Sequence, residues 1–141
     1  MINIAITGAG GRMGKALIEA VTQTDGLQLS AAIERPDSSL IGVDSGELAG
    51  IGRNSITVVS SLQEVVDQFD VLIDFSTPLS TAANIALCAE QSKKIVVGTT
   101  GFDEQQLKNI NQASEKTAIC MASNYATGVN LCFKLAEIAA S

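Results

Sequence analysis

Short apolar runs alternate with amphipathic stretches from the first residues of this chain onward. Residues 2–7 read as a strand, and 27–33, 56–59, 71–75, 94–97 and 118–121 repeat the pattern. Between them, residues 12–24, 80–91, 103–114 and 127–140 carry helical spacing, the first with Met13, Ala16, Leu17 and Ala20 on one face. Ser61, with Glu64 three residues later, reads as the N-cap of a short helix to Gln68. Residues 36–54 are rich in Gly, Ser and Asp and read as a loop, long enough to be a flap near a ligand. The fourth strand is apolar except for Asp74, as expected of a strand buried on both faces. A carboxylate there costs free energy unless partnered, so Asp74 reads as structural, capping a neighbouring turn.

Six βα units in succession predict an α/β fold of Rossmann type, a doubly wound parallel sheet in three layers. Right-handed crossovers place the helices on both faces. Ligands in such sheets bind outside the carboxyl ends of the strands, and those ends hold the candidate chemistry. After strand one comes Gly8-Ala9-Gly10-Gly11-Arg12-Met13-Gly14. A strict G-x-G-x-x-G would put its third glycine at 13; this chain has Gly8-x-x-Gly11-x-x-Gly14, with Gly10 extra. The mechanical roles can still be filled: Gly8 for the tight turn, Gly10 or Gly11 for backbone approach, Gly14 for close packing of helix on strand. Bare N–H groups and the positive end of the helix dipole then suit a phosphate, with Arg12 in reach of its oxygens.

After strand two, Glu34 is placed to accept hydrogen bonds from ribose hydroxyls, and Arg35 to hold a 2′-phosphate. A plain surface ion pair is the alternative there. Phe75 could pack on a cofactor ring; Gly98, Thr99 and Thr100 offer hydroxyls and open backbone near a nicotinamide; Ala122, Ser123, Asn124 and Tyr125 supply the next mouth.

Composition narrows the function classes. The chain has 141 residues, 46% of them hydrophobic, enough for one domain with a good core. A net charge of -6 and 4% aromatics argue against a nucleic-acid binder. No apolar stretch reaches about 18 residues, so no membrane span is expected, and the direct entry into a strand without a basic leader predicts a cytoplasmic protein. Histidine is absent, which removes His-based acid–base chemistry and His-ligated zinc from this chain. Cys88, Cys120 and Cys132 are flanked by apolar residues and read as small buried hydrophobes rather than metal ligands.

Taken together, the glycine turn, Ala32-Ile33-Glu34-Arg35, Asp74-Phe75-Ser76-Thr77-Pro78, Gly98-Thr99-Thr100-Gly101-Phe102 and residues 122–130 resemble the dihydrodipicolinate reductase family, in that family's order. The resemblance implies that Gly8 to Met13 wrap a pyrophosphate, that Glu34 holds the adenosine ribose, and that Arg35 takes the 2′-phosphate of NADPH. It implies that Gly98, Thr99, Thr100 and Ala122 to Tyr125 line the nicotinamide site, and that both NADH and NADPH are accepted. Such enzymes deliver hydride to an unsaturated ring carbon of the cyclic intermediate of diaminopimelate and lysine synthesis.

The family places catalysis in a second domain bearing a His-His-Arg stretch, which a chain without histidine does not contain. The expectation is therefore an NAD(P)-binding domain over residues 1–130, followed over 131–141 by the start of a helix toward the substrate domain. Such a piece would bind cofactor, expose apolar surface where the family's final segment would return to this domain, lack catalytic residues and metal, and be inactive alone. The family's assembly through the second domain implies a homo-oligomer for the longer protein and a monomer for this piece. A stand-alone nucleotide- or CoA-binding Rossmann module, such as a redox sensor, is the alternative, and another two-domain reductase a third.

Overall fold

Alternating apolar residues in β1 (Ile2–Thr7) point to opposite faces of a sheet, and each face acquires its own helices. The computed structural model describes residues 1–140. Its elements are β1, α1 (Arg12–Gln23), β2 (Leu27–Ile33), α2 (Ser45–Ala49), β3 (Val58–Val59), a 3-10 helix (Gln63–Gln68), β4 (Val71–Asp74), α3 (Pro78–Glu90), β5 (Lys94–Val97), α4 (Glu104–Ser114), β6 (Ile119–Met121) and α5 (Thr127–Ala139). All six strands pair in parallel, in the order β3-β2-β1-β4-β5-β6. Ile4, Ile6, Leu29, Ala32 and Val58 pack with Ile18 and Val21 of α1 on one face. Ala5, Ile33, Leu72, Ile95 and Val97 pack with Ile85 and Cys88 of α3, Ile110 of α4 and Phe69 on the other. This is the three-layer, doubly wound Rossmann fold that the alternation predicts.

Several local expectations are corrected. The buried stripe of α1 is Gly14, Ile18 and Val21, whereas Met13 is 46% exposed and Ala16 and Ala20 face solvent. The stretch 36–54 is not all loop, because Asp44 caps α2 by accepting from the Gly46 and Glu47 amides. Ser61 caps nothing: the 3-10 helix starts after Leu62, whose side chain is buried in the core. The third strand shrinks to Val58–Val59, with Thr57 bridging antiparallel to Asp44. Pro78 extends α3 upstream as its first residue, with Thr77 as cap. Only Cys88 is buried; Cys120 and Cys132 are exposed, because β6 is an edge strand and α5 buries no residue.

Candidate functional site

Strand order reverses between β1 and β4, since β1 leads outward to β2 and β4 to β5. Loops leaving neighbouring strands in opposite directions open a crevice at that point. A cleft of about 640 Å³ lies there, with Gly8, Gly10 and Gly11 on one side, Glu34, Arg35 and Leu40 on another, and Phe75 to Thr77 opposite.

The glycine turn owes its shape to missing side chains. Gly8 has φ +68°, the left-handed region that suits glycine, and an added Cβ would lie 3.3 Å from the Phe75 carbonyl. A Cβ at Gly14 would run into the Gly8 carbonyl oxygen, so this glycine fixes how closely α1 approaches the turn. Gly10 serves a different neighbour than the sequence suggests: its bare Cα admits the Leu40 side chain and the Glu34 carboxylate. Gly11 is the N-cap of α1 and no side chain caps that helix. Its first-turn amides are therefore left without a side-chain cap or an acidic neighbour in that turn, and Gly11 itself lines the cleft. By contrast, Asp103 and Gln106 close α4 with a reciprocal capping box.

Glu34 ties the second strand end to the turn. Its Oε2 accepts from the Gly10 amide at 2.9 Å and its Oε1 from the Arg35 amide at 3.1 Å. Arg35 extends into solvent with its Nε 3.3 Å from Asp37 Oδ1, both side chains about three-quarters exposed. The opposite wall is anchored by buried Asp74, whose Oδ1 accepts from the Ser76 amide (3.0 Å) and hydroxyl (2.6 Å) and whose Oδ2 accepts from Asn84 Nδ2 at 2.8 Å. Thr99 joins this network, accepting from the Ser76 amide at 3.0 Å and the Thr81 hydroxyl at 2.8 Å. The wall is thus satisfied internally, as a buried carboxylate requires.

A second, shallower hollow of about 260 Å³ opens at the ends of β5 and β6, lined by Thr99, Thr100, Ala122 and Ser123 among others. Between the two hollows stands the Phe75 ring. It fills the space a side chain at Gly98 would need, and its centroid is 6.0 Å from that of Tyr125. The Tyr125 hydroxyl donates to the Val97 carbonyl at 2.8 Å and reaches the Cys120 carbonyl at 3.1 Å. Burial first, and then the neighbouring Cys120 thiol, pushes this phenol above its usual titration range.

The structure thus brings together Gly8, Gly10, Gly11, Glu34, Arg35 and Phe75 at one cleft, and Thr99, Thr100, Ala122 and Ser123 at the other. Six candidates fall outside both, among them Gly98, which lies under the Phe75 ring, and Tyr125, which packs beside it. Ala9 is fully buried beneath the turn; Arg12 and Met13 are exposed on α1; Asn124 accepts from the Ala126 amide at 2.7 Å in the turn that precedes α5. Sequence reasoning passed over Leu40, Thr77, Ser80 and Asn84, which line the cleft. Only Thr77-Pro78, a cap followed by proline at N1, carries a readable local pattern.

The residues fit a dinucleotide on this geometry: a cradle with no room for Cβ atoms, an uncapped helix start, and a carboxylate and a guanidinium one strand away. Comparison with known proteins points the same way. Residues 2–125 match the family model described as dihydrodipicolinate reductase, N-terminus. A 4-hydroxy-tetrahydrodipicolinate reductase of Saccharophagus degradans is 54% identical over 137 residues, covering 97% of this chain and 51% of that protein. The dipicolinate-bound dihydrodipicolinate reductase of Paenisporosarcina sp. TG-14 superposes with a TM-score of 0.79 at 28% identity, covering 99% of this chain and 54% of that one. The WlbA dehydrogenase of Bordetella pertussis, in complex with NADH and UDP-GlcNAcA, shares the fold at 17% identity, with a TM-score of 0.68 over 86% of this chain and 36% of that one. The chain spans about half the length of the two reductases. With the family model covering nearly the whole chain, this protein belongs to the dihydrodipicolinate reductase family and carries its N-terminal portion.

Proposed function

We propose that this chain is the NAD(P)H-holding part of a 4-hydroxy-tetrahydrodipicolinate reductase. The observation that carries the proposal is the uncapped Gly8–Gly14 turn facing Glu34 and Arg35 across one cleft. NADH or NADPH, when bound, supplies the hydride that reduces the cyclic substrate of the diaminopimelate and lysine route. The chain's own residues bind and orient. Amides of the glycine turn and of the first turn of α1 receive the pyrophosphate. Glu34 exchanges the Gly10 amide for ribose hydroxyls, which frees that amide in turn. Arg35 meets a 2′-phosphate. Phe75, pinned between Gly98 and Tyr125, walls the cleft, and the Thr99–Ser123 hollow receives the nicotinamide end.

The substrate pocket and the proton donor belong, in this proposal, to the part of the longer relatives that this chain does not span, so the 141-residue chain binds cofactor and does not turn over. In the longer protein, assembly into a homo-oligomer would run through that other part, leaving this chain a monomer. A cytoplasmic setting goes with three free cysteines and a nicotinamide cofactor. No described helix is long and apolar enough to cross a membrane.

Calorimetric titration with NADH, NADPH and coenzyme A tests the proposal. Saturable binding of both nicotinamide cofactors with none of coenzyme A is expected. Binding of coenzyme A alone would replace the reductase proposal with a stand-alone CoA module. Robust reduction of substrate by this chain would refute its inactivity.

A further inference from the structure

Arg35 is followed by a β-turn that brings an acid back against it. The Ser38 amide donates to the Arg35 carbonyl at 3.0 Å, with Pro36 and Asp37 at the two central positions. Proline at the first of these presets the backbone of such a turn. The Ser38 hydroxyl accepts from the Leu40 amide at 3.3 Å, and Leu40 itself packs on Gly10. The turn therefore joins the cleft's covering residue to Arg35, and the Arg35 Nε–Asp37 Oδ1 approach of 3.3 Å follows from backbone closure. Glu34 lies on the other flank of Arg35, accepting its backbone amide. The two carboxylates beside Arg35 have different duties: Glu34 binds the Gly10 and Arg35 amides, whereas the exposed Asp37 carboxylate meets the guanidinium.

From this we infer that Asp37 is a specificity-determining residue that disfavours dinucleotides carrying a 2′-phosphate. The inference rests on the NAD(P)H proposal above. A dinucleotide with a free 2′-hydroxyl asks nothing of the Arg35 charge. One with a 2′-phosphate needs that charge, must compete for it with Asp37, and brings its own negative charge next to the Asp37 carboxylate. Both side chains are about three-quarters exposed, so solvent screens the effect and holds it to a modest size. Removing the charge is expected to tighten NADPH roughly two- to fivefold, the range of exposed charge interactions. NADH should be untouched.

The test is a double-mutant cycle read by calorimetry at low salt: the unaltered chain, Asp37→Asn, Arg35→Ala and the pair combined, each titrated with NADH and with NADPH. Asparagine is at home in this turn and Asp37 is exposed, so folding, checked by circular dichroism, should not change. The expected result is tighter NADPH binding in Asp37→Asn, unchanged NADH binding, loss of the gain on the Arg35→Ala background, and shrinkage of the gain in about 0.5 M salt. Unchanged NADPH affinity overturns the role of Asp37 while leaving the cofactor proposal standing. So does an equal change for both cofactors, or a gain that survives Arg35→Ala. If the unaltered chain binds neither nicotinamide cofactor, the proposal and the inference fall together.

Discussion

Helices α1 and α5 have nearly the same length, 12 and 13 residues, and both carry branched apolar residues at helical spacing. α1 lays Gly14, Ile18 and Val21 against the sheet, whereas α5 buries no residue and leaves Leu131, Phe133 and Leu135 more than half exposed. The difference lies in what each helix follows. α1 leaves the glycine turn at the centre of the sheet, beside β1 and β2, while α5 leaves β6 at the edge. Apolar content alone does not say which helix holds the fold together; position in the sheet does. The glycine turn leaves β1 between the two buried clusters and feeds α1, whose Ile18 and Val21 belong to one of them, which keeps the turn in place.

The largest expected contrast lies between core truncations in the two helices. Ile18→Ala should cost roughly 2–5 kcal/mol by urea denaturation, whereas Leu135→Ala should stay within about 0.5 kcal/mol of the parent. Comparable costs at the two sites would erase the distinction.

Glycine-to-alanine exchanges should differ in sign. At Gly14 the new Cβ meets the Gly8 carbonyl, so a loss of roughly 1–3 kcal/mol and at least about tenfold weaker NADH binding are expected. At Gly128 in α5 the Cβ meets nothing within 4 Å, and removing a helical glycine should stabilise by about 0.5–1 kcal/mol. Thermal unfolding of the two variants reads both signs.

Thiol labelling sharpens the same contrast without mutation. Burial, followed by the nearby Asp74 charge, pushes the Cys88 thiol up to about 12, so it should resist an aromatic disulfide reagent in the native protein. Cys120 and Cys132, both exposed, should react; the third equivalent should appear only in denaturant.

The smallest effect concerns the loop beside the cleft. Burial pushes the Asp44 carboxyl up, but the amides of Asn54, Glu47, Ser55 and Gly46 outweigh it, and the group titrates below its ordinary value of 3.8. A lowered folded-state value means that this stabilisation is complete above the unfolded-state value and fades as pH drops through the folded one. Acid unfolding of Asp44→Asn should therefore show a flatter stability loss below about pH 4 than the parent.

Much of this architecture is legible in the residue pattern because strand and helix periodicities alternate cleanly and β1, β2 and β5 are bounded by polar or glycine residues. The face of α1 is not. Counting from Met13 rotates the stripe one residue, about 100°, since Gly14 contributes the closest contact and no hydrophobicity. α2 is hidden because Asp44-Ser45-Gly46 looks like a turn until Asn54 and Ser55 return to donate to the same carboxylate. Glu34 and Arg35 stand at the cleft as their spacing from the glycines suggests, because the end of β2 is fixed beside the end of β1. Leu40, Ser80 and Asn84 reach the cleft through tertiary packing that leaves no local pattern.

The central claim is that the Gly8–Gly14 turn and the Glu34–Arg35 strand end together hold a nicotinamide dinucleotide. At 14.6 kDa the chain suits amide NMR, and an NADH titration followed residue by residue tests the claim most directly. The account predicts that the amides of Gly10, Gly11 and Glu34 shift saturably while those of α5 stay in place. Saturable shifts confined to other parts of the chain, with the glycine turn unmoved, would contradict it.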